Sequence, residues 1–256
     1  MGHPPWTRYD YEMDLTEVRK YLRRSAWGQF PDVHILTDVA PVKSHPQYSQ
    51  AKGGDPVAAD ALIDDVLVPT SIDTLGDVIG NSKPWLLAIH AVEDVGMNAI
   101  PRALARRLSR RLDAPIAEGI IQINRVLHTG ADGYHRLSFP PVFDGKVEHD
   151  KYLVVDDFIG QGGTLTNLKG HVETNGGKVL GAVVLCGKAY SAQLRLSGAT
   201  LDLLRQKHGP ELEEWWIATF GYSFERLTES EARYLERARD ADTIRARLAS
   251  ARGTGD

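Results

Sequence analysis

Asp156 and Asp157 stand side by side at the end of an apolar run, KYLVV, and are followed closely by Gly160, Gly162, Gly163 and Thr164. Each residue type suggests a particular chemistry. Two neighbouring carboxylates accept hydrogen bonds from hydroxyl groups or neutralise a divalent cation. Glycines let the backbone turn sharply and approach a ligand with no Cβ in the way. If a helix opens near Thr164, its first N–H groups and its dipole favour a phosphate inside the turn, and the threonine hydroxyl adds a donor. The stretch therefore offers acceptors for a diol beside donors for a phosphate, which together describe a phosphorylated sugar. A plain strand-to-helix turn, with the acids as helix caps, would need one or two glycines and no paired acids.

Two familiar phosphate loops do not fit. A Walker loop requires Gly-Lys-Ser/Thr after its spacer, and no lysine occupies that place. A dinucleotide fingerprint counted from Gly160 would need glycine where Leu165 stands.

Positioning these groups requires a strand before them and a helix after them. KYLVVDD reads as that strand, and TLTNLKGHVETN as the helix, closed by Gly176-Gly177. The runs PWLLAIHAV (84–92), PIAEGIIQI (115–123) and KVLGAVVLC (178–186) are continuous enough to be strands buried on both faces. Between the first two, AIPRALARRLSRRLD spaces Ile100, Leu104, Leu108 and Leu112 as one stripe of a helix. Alternating strands and helices predict an α/β fold, a parallel sheet flanked by helices, with ligands beyond the carboxyl ends of the strands. Residues 124–150 are too long for a simple connection and read as a functional loop or hairpin excursion.

The flanks are less regular. Leu15, Val18 and Leu22 mark an early helix, residues 31–57 carry four prolines and read as loop, and a short helix is expected over 57–67. Beyond the last strand, TLDLLRQKHG reads as helix and EEWWIATFGYSF as strand. TESEARYLERARDADTIRARLAS reads as one long helix opened by a Thr228-x-x-Glu231 cap. The chain thus divides into an amino-terminal extension (1–80), a core (81–190) and a carboxyl-terminal extension (191–256). The five arginines of the 99–112 helix could form a nucleic-acid stripe, but a solvated face is the expected reading in a chain of net charge −4. Nucleic acid is not an expected partner. The single Cys186 excludes an internal disulfide and a cysteine zinc cluster, and is expected to be an inert core residue. No apolar run approaches the ~20 residues of a membrane span, and the first ten residues lack a signal-peptide core. The expectation is a cytoplasmic protein.

YLVVDDFIGQGGT resembles the signature of type I phosphoribosyltransferases: an apolar strand, two acids, and a short loop ending in glycine and threonine. WLLAIHAVEDVGMNAIPRALARRL resembles that family's earlier strand, pyrophosphate loop and helix, and residues 124–150 resemble its catalytic lid, so the resemblance covers roughly residues 80–190. It implies a phosphoribosyltransferase-like fold with extensions at both ends. It also implies transfer of phosphoribose from phosphoribosyl pyrophosphate to a nitrogenous acceptor, a nucleobase first of all, with Mg2+ as cofactor. By the resemblance Asp156 and Asp157 hold the ribose hydroxyls and the metal, while Gly160, Gln161, Gly162, Gly163 and Thr164 hold the 5-phosphate. Gly96 offers backbone amides to the pyrophosphate, and Lys188, just past a strand, corresponds to a lysine that contacts the base. The lid carries Arg125, His128, Tyr134, His135, Arg136 and Lys146, of which Tyr134 and Arg136 are the catalytic candidates. Members acting on 6-oxopurines have an acid where Gly160 stands, and threonine is common at the place of Gln161. Glu93 and Asp94 lie in the pyrophosphate turn, where they favour a second reading: a regulatory protein that keeps the pocket without turnover. A ribose-phosphate hydrolase or a synthetase-like relative is a lesser alternative. A homodimer contact is among the uses expected for the extensions.

Overall fold

The apolar runs become the middle of a parallel sheet, because a strand covered on both faces has no polar side to show. The computed structural model describes residues 13–90, 92–93, 96–126 and 132–253. The chain opens with α1 (Leu15–Tyr21), β1 (His34–Thr37) and the helices α2 (Val39–Lys43), α3 (Tyr48–Lys52), α4 (Pro56–Val66), α5 (Pro69–Asp73) and α6 (Gly76–Ile79). It continues through β2 (Trp85–Ala88), β3 (Val92–Glu93), β4 (Gly96–Met97), α7 (Ile100–Leu112), β5 (Ile116–Ala117), β6 (Ile121–Gln122), α8 (Gly133–Ser138) and β7 (Phe143–Asp144). Then come β8 (Lys151–Ile159), α9 (Gly163–Thr174), β9 (Lys178–Gly187) and a carboxyl-terminal set, α10 (Gly198–His208), α11 (Pro210–Phe220), α12 (Glu229–Glu236) and α13 (Ala241–Gly253).

Five strands form one sheet in the order β1-β9-β8-β2-β5, every neighbouring pair parallel. Alternate residues of β8 feed two cores. Leu153 and Val155 meet Leu104 and Leu108 of α7 and Leu62 of α4, whereas Tyr152 and Val154 meet Leu165, Leu168 and Val172 of α9. Helices thus cover both faces of the sheet. A third apolar cluster, around Trp216, Phe220, Leu204 and Leu235, joins α10 to α13 and takes in Tyr134 and Leu137 of α8. Connections run outward from β2 to β5 on one side and from β8 to β9 on the other. The winding therefore reverses between β2 and β8, where such sheets open a crevice at the carboxyl ends of the strands.

Several elements differ from the sequence reading. Residues 31–57 are not loop: HILT pairs with β9 as an edge strand, and α2 and α3 follow. Pro41 falls in the first turn of α2, where the missing N–H costs nothing. The expected strand at 115–123 divides at Gly119 (φ +90°), and its second half, β6, pairs antiparallel with β7 from the excursion. EEWWIATF is helical: Pro210 opens α11, Gly221 closes it in the left-handed region, and Trp216 and Phe220, four apart, share its buried face. The long terminal helix is two, because Asp240 caps a new start by accepting from Thr243 N at 2.8 Å. The Thr228–Glu231 capping box forms as expected.

The arginine stripe of α7 is occupied internally. Arg102 pairs with Glu118 (2.9 Å), Arg106 with Asp60 of α4 (2.7 Å), and Arg111 with Asp73 of α5. These pairs tie α7 to its neighbours, while Arg110 Nε donates to the Arg106 carbonyl. Among the described residues no helix is long and apolar enough to cross a membrane.

Candidate functional site

At the reversal point lies a crevice of about 240 Å³, whose lining includes Asp156, Asp157, all of Gly160–Leu165, and residues from both ends of the chain. The doublet lies near the carboxyl end of β8, where Asp156 sits opposite Val184 of β9. Both carboxylates are buried, Asp156 to 8% exposure and Asp157 to 7%. Asp157 N donates to Asp156 Oδ1 at 2.8 Å, and Lys52 Nζ lies 3.0 Å from Asp157 Oδ2. Burial, and then the charge of Asp157, push the Asp156 pKa well above the usual carboxylate range.

The loop is shaped by close approach. Gly162 has φ +82°, and a Cβ there would stand 2.1 Å from Leu194 Cδ2, so neither the backbone nor the space admits a side chain. Gly162 also occupies the N-cap of α9, with no side chain capping the helix. Gly163, Thr164 and Leu165 of its first turn line the crevice, and N–H groups of a helix's first turn have no partner within the helix, as an anion site requires. A Cβ at Gly160 would meet Arg136 Nη1 at 2.8 Å, so the glycine makes room for this guanidinium. Burial lowers the Arg136 pKa. Gln161 O accepts from Thr228 Oγ1 at 2.6 Å, while Gln161 Oε1 is buried with no hydrogen-bond partner among the described residues.

Behind the loop stands an ion pair that the sequence did not disclose. Arg24 and Glu231 meet through two contacts, 2.6 and 2.8 Å, at side-chain exposures of 2% and 3%. Arg24 Nε donates to Asn167 Oδ1 of α9 at 2.8 Å, and Thr228 N donates to Glu231 Oε2 at 2.9 Å. One buried charge pair thus clamps α9, the loop and α12 to the segment after α1.

The structure brings together Asp156, Asp157, Gly160, Gln161, Gly162, Gly163, Thr164 and Arg136. Two candidates, Tyr134 and Lys188, stand elsewhere. Tyr134 is buried in the helical cluster, its ring 4.9 Å from that of Tyr234, because the short α8 turns Arg136 toward the crevice and Tyr134 toward that cluster. Lys188 is exposed, with Nζ 5.6 Å from the Tyr190 ring. Gly96 begins β4. Of the other lid residues, Lys146 pairs with Glu148 (3.2 Å) and His135 packs on Phe139 (4.7 Å). His128 and Asp94 lie outside the described residues. Cys186 is buried in the core as expected. Sequence reasoning missed Lys43 and Lys52, which lie in the stretch read as loop, and Arg24, whose partner is 207 residues away.

The doublet suits Mg2+ only in part. Magnesium accepts one or two carboxylates and takes its remaining ligands from phosphates and water. Among the described residues no group of three or more His, Cys, Asp or Glu comes together, so a metal here would depend on a phosphate-bearing ligand.

No family model matches the chain. It is 39% identical over 230 residues to Protein TraN of Escherichia coli, an alignment covering 90% of this chain and 51% of that protein. It is 40% identical over 160 residues to an uncharacterized protein of Haemophilus influenzae, covering 62% of this chain and 36% of that one. The chain therefore spans about half the length of the first relative and about a third of the second.

Two outcomes follow from the buried charges. Glu231→Gln leaves Arg24 buried without its counter-charge and should cost about 3–5 kcal/mol in urea denaturation. Replacing both residues by apolar ones, Arg24→Met with Glu231→Leu, should recover much of that loss. For Asp156 the folded pKa lies above the unfolded one, so its favourable contribution belongs to low pH and is lost as pH rises through the raised value. Asp156→Asn should therefore raise the melting temperature at pH 7, and the gain should shrink toward about pH 4.

Proposed function

We propose that the chain is a magnesium-dependent phosphoribosyltransferase of the type I kind, with that family's fold built on the parallel sheet. One observation carries the reading. A buried acid doublet and an uncapped helix start face the same crevice at the reversal point of the sheet. Acceptors for a vicinal diol and donors for a phosphate are then held on rigid elements at one edge, as phosphoribosyl pyrophosphate requires.

On this reading Asp156 and Asp157 accept from the ribose hydroxyls, and Asp156 ionises fully only when those donors or a cation replace lost water. The first-turn amides of α9 with Thr164 hold the 5-phosphate. Arg136 screens phosphate charge from the far wall. Asp156 and Asp157 would hold magnesium only together with a phosphate-bearing ligand, and the ion would supply charge neutralisation of the leaving group. The acceptor nitrogen donates its lone pair to C1 as the C1–O bond breaks. The bonding pair leaves on the pyrophosphate oxygen, and the acceptor's N–H proton passes to water. The protein contributes position, screening and exclusion of solvent. Tyr134 has no part in this scheme, since its ring is buried against Tyr234. Residues 1–80 and 191–256 are proposed as extensions that complete the crevice, and the setting as cytoplasmic, with the nitrogenous base and a second copy of the chain as partners.

A non-catalytic regulator that binds phosphoribosyl pyrophosphate or a nucleotide is the second reading. The acids of the 92–98 turn and the Lys52 contact on Asp157 favour it.

Calorimetry with phosphoribosyl pyrophosphate and magnesium should show binding that Asp156→Asn with Asp157→Asn weakens at least ~100-fold, while circular dichroism shows the fold retained. Unchanged binding in the double variant removes the ribose assignment. Incubation with a panel of bases should release pyrophosphate for at least one of them, and tight binding with no release selects the regulator.

A further inference from the structure

This inference rests on the phosphoribosyl reading above. A phosphoribosyl pyrophosphate carries its largest charge on the leaving group, yet the 92–98 turn holds Glu93 and Asp94 and no lysine or arginine. The counter-charge has to come from another part of the crevice. Besides Arg24, which Glu231 neutralises, two cations of the amino-terminal segment line it: Lys43, the last residue of α2, and Lys52, the last residue of α3. Each ends a helix, where the carbonyl dipoles favour positive charge. Lys43 Nζ lies 4.9 Å from the Phe158 ring centroid, and Lys52 Nζ lies 3.0 Å from Asp157 Oδ2. The two ammonium groups therefore flank consecutive residues at the end of β8. A neighbouring group reports the same convergence. Burial and Asp157 push the Cys186 thiol up to about 12, and both lysines pull against that rise.

The Lys52 contact meets a conflict when a sugar arrives. Asp157 then accepts from a hydroxyl, while the ammonium of Lys52, with three donors on a flexible stem, finds phosphate oxygens of higher charge within the same crevice. We propose that Lys43 and Lys52 hold the leaving diphosphate, Lys52 turning from Asp157 to the phosphate oxygens once the ribose hydroxyls occupy the acid doublet. As the C1–O bond breaks, its electron pair remains on the diphosphate oxygen, and that added charge falls between the two ammonium groups. The acceptor nitrogen supplies the pair for the new C1–N bond and releases its proton to water. In the ligand-free protein the same lysine offsets the charge of Asp157, so the crevice stays formed.

Isothermal titration with three probes in the presence of magnesium tests this: phosphoribosyl pyrophosphate, ribose 5-phosphate and inorganic pyrophosphate. Lys43→Met and Lys52→Met should each weaken the two diphosphate-bearing probes by about tenfold or more, with ribose 5-phosphate changing less than about threefold. Lys52→Arg, which keeps the charge, should restore most of the loss. Lys43 is exposed, so its variant carries the test should Lys52→Met not fold. Equal loss across all three probes, or undiminished pyrophosphate affinity, overturns the lysine assignment while the phosphoribosyl reading stands. A wild-type chain that takes neither sugar phosphate overturns that reading, and the lysine assignment with it.

Discussion

The Arg24–Glu231 pair is the constraint on which the crevice depends. Removing both charges from water is expensive, and only close geometry with further hydrogen bonds repays it. Here those bonds reach Asn167 of α9, the Arg226 carbonyl and the Thr228 amide, so the pair fits only when segments from three parts of the chain are in place. An apolar contact would tolerate sliding by a fraction of an ångström. A bidentate guanidinium does not, and Gly163, whose missing Cβ would stand 2.9 Å from Glu231 Oε1, shows how tightly the loop is drawn against it.

The sheet supplies the other half of the arrangement. Long, fully covered β8 and β9 are rigid enough to hold two carboxylates with most of their water removed, a state that raises the Asp156 pKa and costs stability at neutral pH. Strain of this kind is common where a ligand is to complete what the protein leaves incomplete. The carboxylates and the helix start lie at the same edge because β8 leads directly into α9 through three residues, two of them glycines.

Much of this was legible in the sequence where the relevant partners are neighbours. The run from Tyr152 to Thr164 places strand, acids, turn and helix start in one short stretch, and each local preference agrees with the fold. The Thr228–Glu231 box was legible for the same reason. What escaped depended on distance or on competing signals. Nothing near Arg24 distinguishes it from the adjacent Arg23, and nothing near Lys52 announces Asp157. The aromatic run at Trp215 and Trp216 suggested a strand, but Pro210, Gly221 and the spacing of Trp216 from Phe220 fit a helix whose buried face meets α12 and α13. Tyr134 and Arg136 are two apart on one short helix, so they point to different sides, a consequence visible only once residues 133–138 are known to be helical.

The placement of β1 bears on how the molecule comes to exist. Its His34 pairs with Val183, near the far end of the sheet's sequence, while Arg24 waits for Glu231. During synthesis the early segment leaves the ribosome long before either companion, with Trp27, Phe30 and Val33 lacking the surfaces that will cover them. Such remote closures slow folding and prolong the life of sticky intermediates. The crevice is thus among the last features to mature, and a nascent chain interrupted before α12 would carry the stretch from Asp156 to Thr164 without the pocket it lines.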